Sequence, residues 1–552
     1  MKNKVKIFKD PIYGYIEIEN DLIRKVIDTP NFQRLRRIIQ TSYEPLYAAA
    51  LHNRFTHSIG VYHLGKLAIE SILSKSENLF HFFPNVKKIF LLACLLHDVG
   101  HAPFSHTGEG FYLPEPKDEK QTKDFTQIHD LLKKVVDDET FARDIPDTKS
   151  EIANPHEIMS AIIGLNQYSD LFKTSKERSF FARTIVGYRY KTESLESDLF
   201  NCLIDLLNSK FIDVDKLDYL MRDAYMTGFD TINIDYVRLL NSLQIFKNDN
   251  DEAFLVYSKN AISVIENVVY ARDLEKKWIQ LHPAVIYDMY LVQNSIKILN
   301  AKINVKGANG IPLESLFSYE ALTEEGVTID KDTFIHYLCD DDIVYLLKNK
   351  YKNDFFNTYL DRNKRRHPLW KSEAEYRAYF LPPLTESQTT WFNNTMNKLI
   401  KYIVKNGYSS IDQTLIDAIN NEYDKYSVET ETLGLSSQEI KKRKAERKDF
   451  LKILTPLKEF SEKNGIDFDY VLLQSDQFIS SFGEDDFSKI KILFRDYDKK
   501  SIVEFGEIAS LDAKKSKNFG ENFYYFYYIR KPETKTFKLE DLAEMIRASY
   551  SQ

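Results

Sequence analysis

Apolar residues recur at helical spacing along much of this chain. Over residues 57–74 the series is Ile59, Tyr62, Leu64, Leu67, Ile69 and Ile72. Residues 86–98 are almost continuously apolar, which predicts a buried helix ending near Gly100, with Pro103 blocking its continuation. Residues 20–40 read as a helix after a turn, with Asp28 and Thr29 ahead of Pro30 in the first turn. Further helical patterns cover 156–170, 176–187, 196–209 and 213–227. A long stretch at 258–302 carries Pro283 inside it, and 313–460 is mostly helical with a charged segment at 439–449. From about residue 466 the pattern changes to β-prone runs at 470–473, 490–494 and 523–529, and 539–550 reads as a closing helix. The expected fold is mainly α, a helical core with a smaller α/β C-terminal lobe. The segments are a core at 1–310 interrupted by a charged, proline-bearing insertion at 110–150, a helical extension at 311–465 and a mixed α/β lobe at 466–552.

A chain of 552 residues is too long for one compact core, so two or three domains are expected. Lys plus Arg is 75 against 82 for Asp plus Glu, a net charge of −7. That balance argues against a nucleic-acid partner, yet allows an anionic substrate in a locally basic cleft. The basic runs at 441–448 and 362–366 read as solvated faces. Cys94, Cys202 and Cys339 form no paired motif, which points to a reducing, cytoplasmic compartment. The charged N-terminus has no signal-peptide core, and no run of 18 apolar residues occurs, so no membrane association is expected.

Histidine placement sharpens the picture. Seven of the 12 histidines (His52, His57, His63, His81, His97, His101, His106) fall in one short region. His97 and Asp98 are adjacent, with His101 and His106 close behind. Imidazole and carboxylate suit a divalent Mn, Fe, Zn or Mg ion. His57 at the start of one helix and Asp215 at the opening of another complete a set of two imidazoles and two carboxylates. Taken singly, His97 reads as a helix-end histidine and Asp215 as an N-cap; the set in its contexts points to a cation that activates water and polarises a phosphoryl oxygen.

The surrounding strings carry a family resemblance. Asp10, Pro11, Ile12, Tyr13 and Gly14 come first, then Gln33, Arg34, Leu35 and Arg36. His52, Asn53, Arg54, Phe55, Thr56 and His57 follow, then His97 through His106, then Asp213, Val214, Asp215, Lys216, Leu217, Asp218 and Tyr219. In this order they resemble the HD-domain deoxynucleoside triphosphate triphosphohydrolases, including dGTPase-like enzymes and the branch whose animal member carries a sterile alpha motif ahead of the HD domain. The resemblance is strong over residues 5–230, weaker over 260–300 and general beyond.

It implies an HD-domain helical core and metal-dependent hydrolysis of a dNTP to a deoxynucleoside and triphosphate, with dGTP a candidate preference. It further implies His57, His97, Asp98 and Asp215 as metal ligands. His106 would be the general acid, oriented by Glu109 where the family usually has an Asp, with His101 and His156 as further catalytic histidines. His129, inside the insertion, competes with His156 for its place. Arg54, Lys216 and Arg272 match phosphate-contacting positions, Gln40 a contact to the sugar 3′-hydroxyl, and Tyr219 and Asp223 sugar- or phosphate-side contacts. No tyrosine in the segment 278–282 matches the one that excludes ribonucleotides. Lys6, Asp28, Gln33 and Arg36 match a second site for an activating nucleotide, GTP or a dNTP. Asp, Gln and Arg together can read a guanine edge. A homo-oligomer, dimer or tetramer, is implied, with a role in controlling or depleting the dNTP pool, including antiviral or antiphage defence. Two other readings stay open: an HD phosphohydrolase acting on cyclic or oligomeric nucleotides or nucleic-acid ends, and an inactive nucleotide sensor.

Overall fold

The computed structural model describes residues 5–41, 46–113, 126–146, 151–229, 233–313, 315–428, 436–476, 478, 480–481, 485–496, 499–509 and 522–551. Part of the predicted insertion at 110–150 lies outside them. The chain divides into two compact units that interleave along the sequence. One comprises Met1–Glu275, Val292–Phe356 and Ser480–Ala513; the other comprises Lys276–Leu291, Asn357–Ile479 and Lys514–Gln552.

The first unit is a helical core, as its patterning predicts, and it also holds strands at Val5–Asp10, Gly14–Glu19, Leu243–Lys247 and Ala253–Ser258 that the patterning did not predict. The helix Val86–Leu96 is buried almost throughout, with Ile89, Phe90, Leu92, Ala93, Leu95 and Leu96 shielded from water. Packed around it or alongside are Arg54–Ser76, Pro155–Gln167, Ser175–Val186, Leu195–Leu207 and Val214–Thr227. Their ends follow local chemistry. Asp213 caps the last of these by accepting from the Lys216 amide, and Gly228 closes it at φ 68°.

Residues 20–40 depart from the predicted helix. They form short turns, among them a π turn at Ile23–Ile27, a helical turn at Pro30–Gln33 and a 3-10 turn at Arg34–Arg37. Tertiary bonding explains the break: buried Arg34 donates to the carbonyls of Leu338 (2.8 Å), Val99 (2.7 Å) and His101 (2.9 Å). The 258–302 stretch also divides, into Ile262–Glu275, a π turn at Lys276–Gln280 and Pro283–Lys302; Pro283 opens the second helix rather than kinking one.

An antiparallel hairpin, Val5–Asp10 with Gly14–Glu19, enters the first unit. A four-stranded sheet runs Lys499–Glu504, Lys491–Asp496, Ala253–Ser258, Leu243–Lys247, its middle pair parallel. In the second unit, Asn522–Tyr528 lies between His367–Pro368 and Val471–Asp476. The late β-prone runs are thus strands, shared between a sheet in each unit. Among the described residues no helix is long and apolar enough to cross a membrane.

Candidate active site

Three helices of the first unit bring together the four residues singled out as metal ligands. Arg54–Ser76 carries His57 in its first turn, Val86–Leu96 delivers His97 and Asp98 just past its end, and Val214–Thr227 carries Asp215 in its first turn. His57 Nε2 lies 2.9 Å from Asp215 Oδ1 and 3.3 Å from His97 Nε2. His97 Nε2 is 3.7 Å from Asp215 Oδ1 and 3.5 Å from Asp98 Oδ1, and His57 Nε2 is 3.6 Å from Asp98 Oδ2. Ligand atoms about 2.1 Å from one cation and at right angles stand about 3 Å apart. His57, His97 and Asp215 lie close enough to hold one divalent ion that prefers nitrogen and oxygen, with Asp98 within 3.6 Å of both imidazoles.

Behind the donors lies a charged support. His57 Nδ1 donates to Asp218 Oδ2 at 2.7 Å. Asp218 also accepts from Tyr13 Oη (2.6 Å) and from Arg222 Nε and Nη2 (2.8 and 3.0 Å), and Arg222 reaches Asp10 at 3.1 Å. His97 Nδ1 donates to the Cys94 carbonyl at 3.0 Å. Each bond fixes the tautomer, so both Nε2 lone pairs face the shared space. Burial works against charge on His57, yet the bonds to Asp215 and Asp218 push its pKa up to about 10. Burial likewise opposes ionisation of Asp218, and Arg222 and His57 overcome it to hold its pKa at about 2. A cation would compete for the place of the His57 proton. Gly60 makes room for this support, since a Cβ there would meet Asp218 Oδ1 at 1.9 Å.

A second histidine group sits beside the first. The loop after Asp98 holds Phe104 and Ser105 at φ 61° and 50°. For residues other than glycine this left-handed backbone costs about 1–3 kcal/mol each. His101 stacks on His156 with centroids 4.0 Å apart and planes 15° apart, and His106 meets both rings edge-on. Glu109 Oε2 accepts from His106 Nδ1 at 3.1 Å, and its Oε1 accepts from His156 Nδ1. Burial opposes charge on both partners, but Glu109 raises the His156 pKa, and His156 and His106 pull that of Glu109 down. Burial, Arg54 and His156 together push His101 well below its usual range, so it is neutral. Among the described residues His101 Nδ1 has no hydrogen-bond partner, and its Nε2 lies 3.3 Å from Asp98 Oδ1 without hydrogen-bond geometry. His156 owes its place to a capping box of Asn154 and Glu157 around Pro155. The competing His129 bonds Tyr188 Oη at 3.0 Å instead.

His101, His106 and His156 are also close enough to hold an ion. Glu109 already engages Nδ1 of two of them, however, whereas the first set offers converging Nε2 atoms and two carboxylates. The first set is the better fit for a metal.

The other singled-out residues divide. Arg54 joins the two groups: it donates to Asp98 Oδ2 (2.8 Å) and to Ser105 Oγ (2.9 Å). Gln40 is buried nearby, and its Oε1 has no hydrogen-bond partner among the described residues. Tyr219 feels the charges of Glu275 and Arg272, whose guanidinium lies 5.1 Å from the Phe487 ring centroid. Lys216 is turned toward Asp213 (2.5 Å) and the Ser209 carbonyl (2.7 Å). Asp223 is bonded to His52 Nε2 at 2.6 Å, both buried. Elsewhere on this unit Lys6 lies 3.9 Å from Asp28, and Arg36 donates to Gln33 Oε1 at 2.9 Å. Lys6 sits over Phe8 and Arg36 over Phe55, and those two rings are 6.5 Å apart.

Tyr13, His52, Asp218 and Arg222 carry parts of the site that the sequence reading did not assign. One signal existed: Asp215, Asp218 and Arg222 fall on one face of one helix.

Residues 54–177 match the HD domain family. The chain carries an HD domain. Along and around it the chain is similar to the deoxynucleoside triphosphate triphosphohydrolase SAMHD1 of Danio rerio, 28% identical over 339 residues, 58% of this chain and 50% of that protein. It is also similar to the Bacillus subtilis protein YwfO, 24% identical over 384 residues, 68% of this chain and 74% of that protein. The chain thus spans about half the length of the SAMHD1 relative. A hypothetical protein from Aquifex aeolicus of known structure shares the fold, with a TM-score of 0.51 at 17% identity, covering 99% of this chain and 100% of that one.

Proposed function

We propose that this HD-domain protein hydrolyses a dNTP to a deoxynucleoside and intact triphosphate. The carrying observation is that His57, His97 and Asp215 cluster beside a histidine–carboxylate group, with Asp98 near both and bonded to Arg54. When bound at His57, His97, Asp98 and Asp215, a divalent ion supplies Lewis acidity toward water and phosphoryl oxygen. Asp218 and the Cys94 carbonyl keep the two imidazoles aimed. His106, whose side chain is 60% exposed, protonates the departing 5′-oxygen while Glu109 holds its other nitrogen. His101 and His156 line the same wall. Arg54, Lys216 and Arg272 face the triphosphate; for Lys216 this means leaving Asp213 for a phosphate oxygen. Gln40 receives the sugar 3′-hydroxyl through its Oε1, and Tyr219 and Asp223 lie on the sugar and phosphate side. Lys6, Asp28, Gln33 and Arg36 form an activating-nucleotide site around Phe8 and Phe55. On this reading the protein is a cytoplasmic homo-oligomer, dimer or tetramer, that controls or depletes the dNTP pool, with dGTP as preferred substrate and a role in antiviral defence. The similarity to SAMHD1 supports this reading.

Incubation with each dNTP and NTP, alone and in mixtures, with Mn or Mg tests it. Deoxynucleoside plus triphosphate is expected, and mixtures reveal an activator. Monophosphate products would instead mark a different HD phosphohydrolase, and no products at all a sensor.

A further inference from the structure

Both walls of the candidate site are tied to one carboxylate outside the HD match. Asp340 Oδ1 accepts from the Phe104 amide at 2.7 Å, and its Oδ2 accepts from the Ile39 amide at 2.8 Å. Phe104 is a left-handed residue, two positions before His106, so the direction of its N–H fixes the path of the histidine loop. Ile39 immediately precedes Gln40, and its carbonyl accepts from Ser105 Oγ, which also receives Arg54 Nε. The same segment is bolted a second time, through Arg34, which bonds the carbonyls of Leu338, Val99 and His101.

We propose that Asp340 is a positioning residue: its carboxylate clamps the His106 loop against the Ile39–Gln40 segment and so sets the distance between the general acid and the bound sugar. This rests on the hydrolase reading above. A carboxylate suits the task because it accepts two bonds at once on separate oxygens. Neither amide belongs to a helix or strand that could hold it otherwise. Burial pushes the Asp340 pKa up to about 7 against the two N–H bonds, with Asp341 adding to the push and Arg34 opposing it. The clamp therefore strengthens as pH rises through neutrality. Nearby Asp341 is exposed and pairs loosely with Arg37 at 3.7 Å, which makes it a control.

The test compares Asp340→Ala, Asp340→Asn and Asp341→Ala in the full chain at pH 8. Three quantities are read: metal bound per chain, kcat and KM separately, and amide hydrogen exchange at Ile39 and Phe104. Asp340→Ala is expected to keep its metal and lose about 100-fold in kcat, the scale of a misplaced catalytic group. Its KM changes less, and both amides exchange faster. Asp340→Asn, which keeps one acceptor oxygen, falls between, and Asp341→Ala behaves as wild type. The clamp is overturned if Asp340→Ala exchanges at Phe104 as slowly as wild type, or turns over at the wild-type rate per bound metal. Should wild type release no triphosphate from any dNTP, the hydrolase reading fails, and the exchange rates still decide whether Asp340 holds the loop.

Discussion

Two groups of histidines lie side by side in the HD domain, and their surroundings give them different chemistry. In the first, His57 and His97 sit at helix ends with each Nδ1 bonded to an acceptor from a fixed helix, and their Nε2 atoms converge with two carboxylates. In the second, His101 stacks on His156 with His106 edge-on to both, one carboxylate serves two rings, and the loop that carries two of them runs through left-handed residues. Immobilising the second nitrogen suits an imidazole to ligation, and a shared acid that governs its charge suits it to carrying a proton.

The largest effect should come from the first group. His97→Ala or Asp98→Ala is expected to abolish bound metal and turnover together, measured by elemental analysis and product release; retained metal would break the comparison. His106→Ala should keep metal and bound substrate yet slow hydrolysis by about 100-fold or more, the scale of a lost general acid. Normal turnover in that variant would remove its role. Removing the support rather than a ligand should matter less. Asp218→Ala is expected to weaken metal affinity by about 10- to 100-fold without changing the ligand set.

A subtler difference lies in protonation. The His156 pKa is raised in the folded protein because Glu109 outweighs burial. This contribution to stability is full below the unfolded value of about 6.5 and is lost as pH rises through the folded value. Its partner Glu109 has a lowered pKa, so its share is present above about 4.3 and lost in acid. In Glu109→Gln burial is opposed only by the charges of Glu157 and Asp98, and the His156 pKa, followed by NMR titration, should fall from its wild-type value; a value unchanged from wild type would contradict the pairing. Smallest for the chemistry itself, Arg36→Ala should blunt activation by a second nucleotide while leaving metal content as it was.

How legible this was depended on the reach of each interaction. The helices at 57–74 and 213–227 announced themselves through helical spacing, and that at 86–98 through an almost unbroken apolar run, because it is buried almost throughout. The metal-ligand candidates were visible as residue types in recognisable strings, and the structure does bring His57, His97, Asp98 and Asp215 together. What the sequence concealed is pairing across distance: Asp218 behind His57 is 161 positions away, His52 and Asp223 are 171 apart, and Asp10 meets Arg222 across 212. Residues 20–40 carried a helical rhythm that lost to tertiary bonds, since Arg34 satisfies three carbonyls by leaving the helical path. The hairpin Val5–Asp10 with Gly14–Glu19 escaped notice because its outer face mixes apolar and charged residues, with Val5, Ile7 and Tyr15 exposed among lysines and glutamates.

The most direct test is hydrolysis of a dNTP in water enriched in oxygen-18 with a divalent metal present. One heavy oxygen is expected in the released triphosphate and none in the deoxynucleoside, as attack at the α-phosphorus requires. Label in the deoxynucleoside, or release of pyrophosphate and a monophosphate, would contradict it.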